Sequence, residues 1–196
     1  MGNPLTQDAL ETLFLNARTF NSWQDKPVPT ELLQEIYNVA ALGATSANCS
    51  PMRVIFITNP IQKERLKLCL SAGNVEKTMR APVTAIIGSD HNFVEKLPFL
   101  FPHADVRKWF EGNAALIDET AFRNATLQGA YLMMAARAKG LDCGPMSGFD
   151  SERLDATFFP NGSIKSNFLC NFGYGDDTTL YPRSPRLPFA EACKVL

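Results

Sequence analysis

Gly43-Ala-Thr-Ser-Ala-Asn-Cys-Ser-Pro-Met-Arg-Val-Ile-Phe56 joins two different periodicities. Before it, Leu33, Ile36, Tyr37 and Ala40 recur at helical spacing. Thr30 reads as the N-cap of that helix and Gly43 as its stop. After it, the apolar, β-branched run from Arg53 to Thr58 reads as a strand. Between them Thr45, Ser46, Asn48, Cys49 and Ser50 carry no bulk. Such a stretch can offer backbone N–H groups and short polar side chains to a flat polar ligand. The same composition also suits an ordinary helix-to-strand connection.

Working outward, Leu10, Leu13, Phe14 and Ala17 mark a first amphipathic helix that ends near Arg18. Arg18 to Asp25 is a polar turn, in which Trp23 reads as buried. Asn59-Pro60 opens a helix to about Leu70, Ser71 to Lys77 reads as a polar break, and Pro82 to Gly88 as a strand. Residues 91–112 hold Phe93, Phe99, Phe101, Trp109 and Phe110, interrupted by Pro98 and Pro102. That segment is a lid, a subunit contact or a satellite of the core. Asn113 to Lys139 is helical and apolar on more than one face, as a central helix or a dimer contact would be. Gly144 to Asp150 reads as a loop whose Asp150 caps a short helix, and Asn167 to Gly173 as a last strand. The proline-rich tail from Tyr181 to Pro188 is extended and leads into a short helix. Helices and strands mix without strict βαβ alternation, so the expected class is α+β with a mixed or antiparallel sheet flanked by helices. One domain over 1–196 is expected.

Composition excludes several partners. The chain has 19 basic and 20 acidic residues, a net charge of −1, so neither nucleic acid nor an anionic membrane is favoured. No apolar run approaches the roughly 18 residues that span a bilayer. The first residues lack the pattern of a secretory signal, and Met1-Gly2 matches a myristoylation start only by chance. Five cysteines stand far apart with no C-x-x-C pair, so no metal is expected and a reduced, cytoplasmic protein is.

Arg183 and Arg186 lie on a stiff, proline-bounded segment. A guanidinium held in place loses less entropy on gripping an anion, and it meets phosphate through paired N–H bonds. Arg18 and Thr19 add donors from the other end of the chain. Tail arginines are also often simply solvated. Neither G-x-G-x-x-G nor G-x-x-x-x-G-K-[ST] occurs. A Cys49 nucleophile paired with His91 or His103 remains open on residue types alone.

Taken together, Ala17-Arg-Thr-Phe-Asn-Ser-Trp23, Ala44 to Pro51, Gly144-Pro-Met-Ser-Gly-Phe-Asp150 and Arg183-Ser-Pro-Arg186 resemble the nitroreductase family of flavoproteins in order and spacing. Within it, Thr45 to Pro51, Leu97-Pro-Phe-Leu-Phe-Pro-His103, Gly144 to Asp150 and Gly173-Tyr-Gly-Asp176 look like the malonic semialdehyde reductase branch, attached to pyrimidine degradation.

The resemblance implies an intertwined homodimer that binds two FMN at its interface. Arg18, Thr19, Arg183 and Arg186 would hold the phosphate and ribityl end. Thr45, Ser46 and Asn48 would approach from the partner, and Asn74 and Lys77 would lie near the pyrimidine edge. Gly148 would face flavin N5, the reacting centre, with its N–H. A cation such as Lys77 would stabilise charge that develops at the pyrimidine edge. Two departures stand out. Ala17 and Asn21 replace common basic residues, which weakens Asn21 as an electrostatic contact. Ser147 replaces a frequent acidic one, which suits an anionic substrate. The implied reaction is ping-pong hydride transfer from NADPH or NADH, through FMN, to malonic semialdehyde, giving 3-hydroxypropionate. A broad nitro or quinone reductase and a non-catalytic flavin-binding protein are the alternatives.

Overall fold

A four-stranded antiparallel sheet, in the order β1-β2-β4-β3, carries the helices of the computed structural model. The structure describes residues 2–196, so Met1 and the start read there lie outside it. In chain order the elements are α1 (Gln7–Leu10), which continues as a wider turn over Glu11–Leu15, then α2 (Thr30–Ala40) and β1 (Met52–Ile57). Next come α3 (Pro60–Lys67), α4 (Ala72–Arg80), β2 (Val83–Asp90) and the short α5 (Leu97–Leu100). The chain then forms α6 (Ala114–Ala138), β3 (Asp142–Met146), α7 (Ser151–Phe158), β4 (Ile164–Gly173) and α8 (Phe189–Ala192).

Every residue of β2 is buried, because this strand has a neighbour on each side and packing on both faces. On one face α2 and α6 bury Leu33, Ile36, Ala40, Leu132, Ala135 and Ala136 against Ala85, Ile87 and Cys170. On the other, Leu66 of α3 and Leu154 of α7 pack against Ile86 and Leu169. Asn113 caps α6 by accepting from the Leu116 N–H. Gly43 admits the Tyr131 ring: a Cβ there would fall 2.0 Å from Tyr131 Cδ2.

Several expectations need correction. Ser71 to Lys77 is no break, because Ala72–Arg80 is the helix α4. Only Thr78 of that helix is fully buried, so its apolar signal in the sequence is weak. Gly144-Pro145-Met146 belongs to β3, and the loop shrinks to residues 147–149. A proline is tolerated there because β3 is an edge strand. Pro29 takes the cap position of α2, with Thr30 its first helical residue, and Tyr37 faces outward. Leu10 and Phe14 of the first helix are exposed, and Trp23 is half-buried. In the 91–112 segment Phe93 and Phe110 meet edge-on at 5.1 Å beside Cys49, Leu97 and Val106, whereas Phe99 is 84% exposed. All five cysteines are free thiols; four are buried, and Cys193 is exposed.

Candidate functional site

The two ends of the chain meet to form a cavity of about 420 Å³. Arg18, Thr19 and Asn21 line it from the turn after the first helix, and Arg183 and Arg186 from the tail. Hydrogen bonds fix this meeting. Arg183 donates to the carbonyls of Leu15 at 2.7 Å and Ala17 at 2.8 Å, and Arg18 donates to the Tyr181 carbonyl. Arg186 bonds only its own neighbours Ser184 and Pro185. A fourth guanidinium, Arg137 at the end of α6, enters the same cavity and bonds the Leu13 carbonyl at 3.0 Å. Among the described residues that line it there is no Asp or Glu, and none of the four arginines forms an ion pair. Four like charges without a carboxylate make a site for a multiply charged anion.

Asn21 also lines a second cavity, of about 340 Å³, with Ser22, Gly73, Glu76, Lys77 and Arg80. Asn21 thus stands between the arginine cradle and the cavity against α4. Burial pushes the Lys77 pKa below its ordinary value. One turn earlier on α4, Asn74 donates through Nδ2 to the Gly148 carbonyl at 2.7 Å, which also accepts from the Ser71 N–H at 3.1 Å. The Gly148 N–H meets no acceptor among the described residues. A Cβ on Gly148 would lie 2.6 Å from Asn74 Nδ2, so a side chain there would displace that contact. Ser147 beside it is exposed.

Thr45, Ser46 and Asn48 line neither cavity. They sit on a tight turn in which Ala47, Asn48 and Ser50 all have positive φ, at 48°, 49° and 39°. Such backbone is strained for residues with a Cβ and persists only where its surroundings hold it. The holding side chains come from one stripe of α6. Asn124 Oδ1 accepts from the Ser46 N–H at 2.8 Å, and Gln128 Oε1 from the Met52 N–H at 2.9 Å. The Tyr131 hydroxyl donates to the Ala44 carbonyl at 3.1 Å. Thr45 Oγ1 accepts from the Ser50 N–H, and Asn48 donates to the Leu100 carbonyl at 2.8 Å, which ties the turn to α5.

Sequence reasoning grouped Arg18, Thr19, Arg183 and Arg186 at one end of the ligand, and the structure brings these four to one cavity. Asn21, weighed there only as a weakened electrostatic contact, is in its lining as well. It missed Arg137, because a basic residue in the last turn of a long helix looks like an ordinary partner of the helix dipole. It also missed Asn124 and Gln128, whose spacing of four puts them on one face of α6. Cys49 is a poor nucleophile: it is 0% exposed, and burial raises its pKa to about 11, so it stays a neutral thiol.

An antiparallel α+β domain with an arginine-lined anion cradle, beside a smaller cavity that Lys77 lines, has the form of a protein that holds a phosphorylated organic cofactor. Which such protein follows from its relatives. The model of the Nitroreductase family matches residues 15–174, and the chain belongs to that family. It is 54% identical over 196 residues, the whole of both chains, to a Polynucleobacter asymbioticus protein named "Putative NADH dehydrogenase/NAD(P)H nitroreductase". A Burkholderia lata protein of the same description is 58% identical over 191 residues, covering 97% of this chain and 98% of that one. Among solved structures, an Exiguobacterium sibiricum protein described as "a putative nitroreductase in complex with FMN" has the same fold, with a TM-score of 0.86 at 20% identity over the whole of both chains.

Proposed function

We propose that the chain is an FMN-dependent NAD(P)H oxidoreductase, active as an intertwined homodimer, that reduces malonic semialdehyde to 3-hydroxypropionate. The observation that carries the cofactor is the cavity of four guanidinium groups with no carboxylate in its lining. A phosphate monoester brings close to two negative charges at neutral pH, which matches that donor set better than a neutral ligand would. Arg18, Thr19, Arg183 and Arg186, with Arg137, hold the phosphate and ribityl end. Asn74 and Lys77 would take the pyrimidine edge, with Asn21 lining the same cavity as Lys77. Ser147 and Gly148 would stand at the reacting nitrogen, to which the free N–H of Gly148 could donate. FMN, when bound, supplies the hydride acceptor and donor between NAD(P)H and the substrate. The Lys77 cation favours charge that develops beside it, and the bare Gly148 leaves the reacting face open to substrate.

Three features support the dimer. Thr45, Ser46 and Asn48 line neither cavity of their own protomer, which leaves them available to the site of a partner. Phe122 and Leu127 of α6 are exposed, and so are Leu187, Phe189 and Val195 of the tail. The chain acts as one domain over 1–196, and its 91–112 segment, hydrogen-bonded to Asn48 through Leu100, works as a lid or contact over the neighbouring site. A second reading, a broad nitro or quinone reductase, draws on the names that the relatives carry.

The test uses the FMN-loaded protein. NADPH, and separately NADH, should bleach the flavin in stopped flow, and malonic semialdehyde should restore the colour faster than a nitroaromatic at matched concentration. The reverse order selects the second reading, and the absence of bleaching leaves a flavin-binding protein without turnover. Ser147→Glu should raise KM for the carboxylated aldehyde far more than for a neutral quinone; equal changes reject the anionic substrate. Sedimentation at a single chain's mass with FMN bound would sink the dimer.

A further inference from the structure

Lys63 of α3 is only 5% exposed, yet among the described residues it pairs with no carboxylate. Its Nζ donates to the Thr78 carbonyl at 2.8 Å and to Thr84 Oγ1 at 2.5 Å. The Thr84 hydroxyl in turn donates to Asn171 Oδ1 at 2.6 Å. Asn171 in turn donates through Nδ2 to the Lys77 carbonyl and to Thr78 Oγ1, each at 3.4 Å. From the other side, Trp23 Nε1 donates to the same Lys77 carbonyl at 3.2 Å.

These contacts converge on one place. The carbonyls of Lys77 and Thr78 are among the last four of α4, which a helix cannot satisfy internally. Here they are met by side chains from the turn before α2, from α3 and from β4. The helix so gripped carries Asn74 and Lys77 towards the proposed cofactor. Burying a lysine is a costly way to close a helix end, and an apolar residue of like volume often serves stability as well or better. The amine therefore does something that packing alone would not: it fixes where α4 stands along its own axis, relative to β2 and β4.

We propose that Lys63 is a positioning residue for the redox edge of the site, holding the last turn of α4 so that Lys77 and Asn74 meet the cofactor in register. The proposal rests on the FMN reading above. It assigns Lys63 no contact with cofactor or substrate, only with the backbone of the helix that makes the contact.

The experiment measures the affinities of the intact protein for oxidised and for reduced FMN, with thermal unfolding alongside. Lys63→Met should lower the reduced-to-oxidised affinity ratio about tenfold, a shift of about 30 mV in a two-electron potential. Lys77→Met should lower it at least as far. Because Lys63 acts through Lys77, adding Lys63→Met to Lys77→Met should change the ratio less than twofold further. Thr84→Val, which removes only the linking hydroxyl, should shift the ratio in the same direction by a smaller factor. A Lys63→Met protein that melts earlier with an unchanged ratio overturns the proposal, as does a full tenfold shift in the Lys77→Met background. If Lys63→Met does not fold, Thr84→Val decides, and an unchanged ratio there is fatal. FMN uptake with unchanged ratios rejects only the role of Lys63, whereas a wild-type chain that takes up no FMN overturns the functional reading along with it.

Discussion

The arginine cradle and the turn over residues 44–52 treat polar groups in opposite ways. In the cradle, four guanidinium groups share one cavity, and the bonds they make go to carbonyls of their own chain. Among the described residues no carboxylate pairs with them. At the turn, by contrast, buried Asn124 and Gln128 answer the backbone directly, although Ala47, Asn48 and Ser50 are strained. One region is electrostatically open and the other is closed. An open region can lose a member without unfolding, because solvent replaces what is lost. A closed one cannot, because removing one partner strands the other away from water.

The sharpest contrast is with Lys63, the closed case taken to its limit. Burial lowers its pKa from 10.5 to about 7. Between those values the unfolded chain holds the proton that the folded chain has released. Unfolding free energy should therefore rise with pH across that window, by up to about 1.4 kcal/mol per unit, and the Lys63 contribution should be flat below about 7. The neutral amine keeps two N–H donors for the same two acceptors, so the contacts survive its deprotonation. Denaturant titrations from pH 6 to 10 on wild type and Lys63→Met check this; equal slopes in both would remove Lys63 as the cause. Next in size, Arg186→Ala should weaken FMN binding about ten- to a hundredfold, for a charged contact of about 1.5–3 kcal/mol. Its melting temperature without FMN should hardly move, since Arg186 bonds only Ser184 and Pro185. An equal loss of stability would show the cradle to be structural.

Asn124→Leu should do the reverse. The Ser46 N–H is left without its acceptor, at a cost of about 1–3 kcal/mol, with Tm falling about 2–4 °C for each kcal/mol. Calorimetry of the cofactor-free chain measures it, and an unchanged Tm would mean that the turn does not depend on α6. The smallest effect is expected for Ala47→Gly. Relief of the strained φ of 48° offsets the extra freedom of glycine in the unfolded chain, so the net change should stay within about 1 kcal/mol. A urea midpoint that falls by more would show that the Ala47 methyl packs rather than merely tolerates its place.

Much of the fold was legible because burial imposes periodicity. Leu33, Ile36 and Ala40 mark α2, and the run from Val83 marks β2, since each side chain there must face the core. What hid were elements whose inner face is narrow or polar. In α4 the buried member is a threonine, so helical spacing has little apolar residue to show itself in. β3 carries Gly144 and Pro145, which advertise a loop, and only its pairing with β4 makes it a strand. At the site, the residues grouped by the two chain ends came from their chemistry and spacing. Arg137, Asn124 and Lys63 did not, because each lies on a helix where local sequence says surface or core but not which backbone group waits opposite. Tertiary placement alone gives those side chains their partners.

Cys193 has a practical use. With Cys49, Cys69, Cys143 and Cys170 sealed inside, a maleimide dye should attach at one position only, on the tail beyond α8. A fluorophore there would read directly whether the tail stays as open as Cys193 stands in the single chain: quick labelling and an unshifted emission if it does, slow labelling and a shifted colour if another surface covers it.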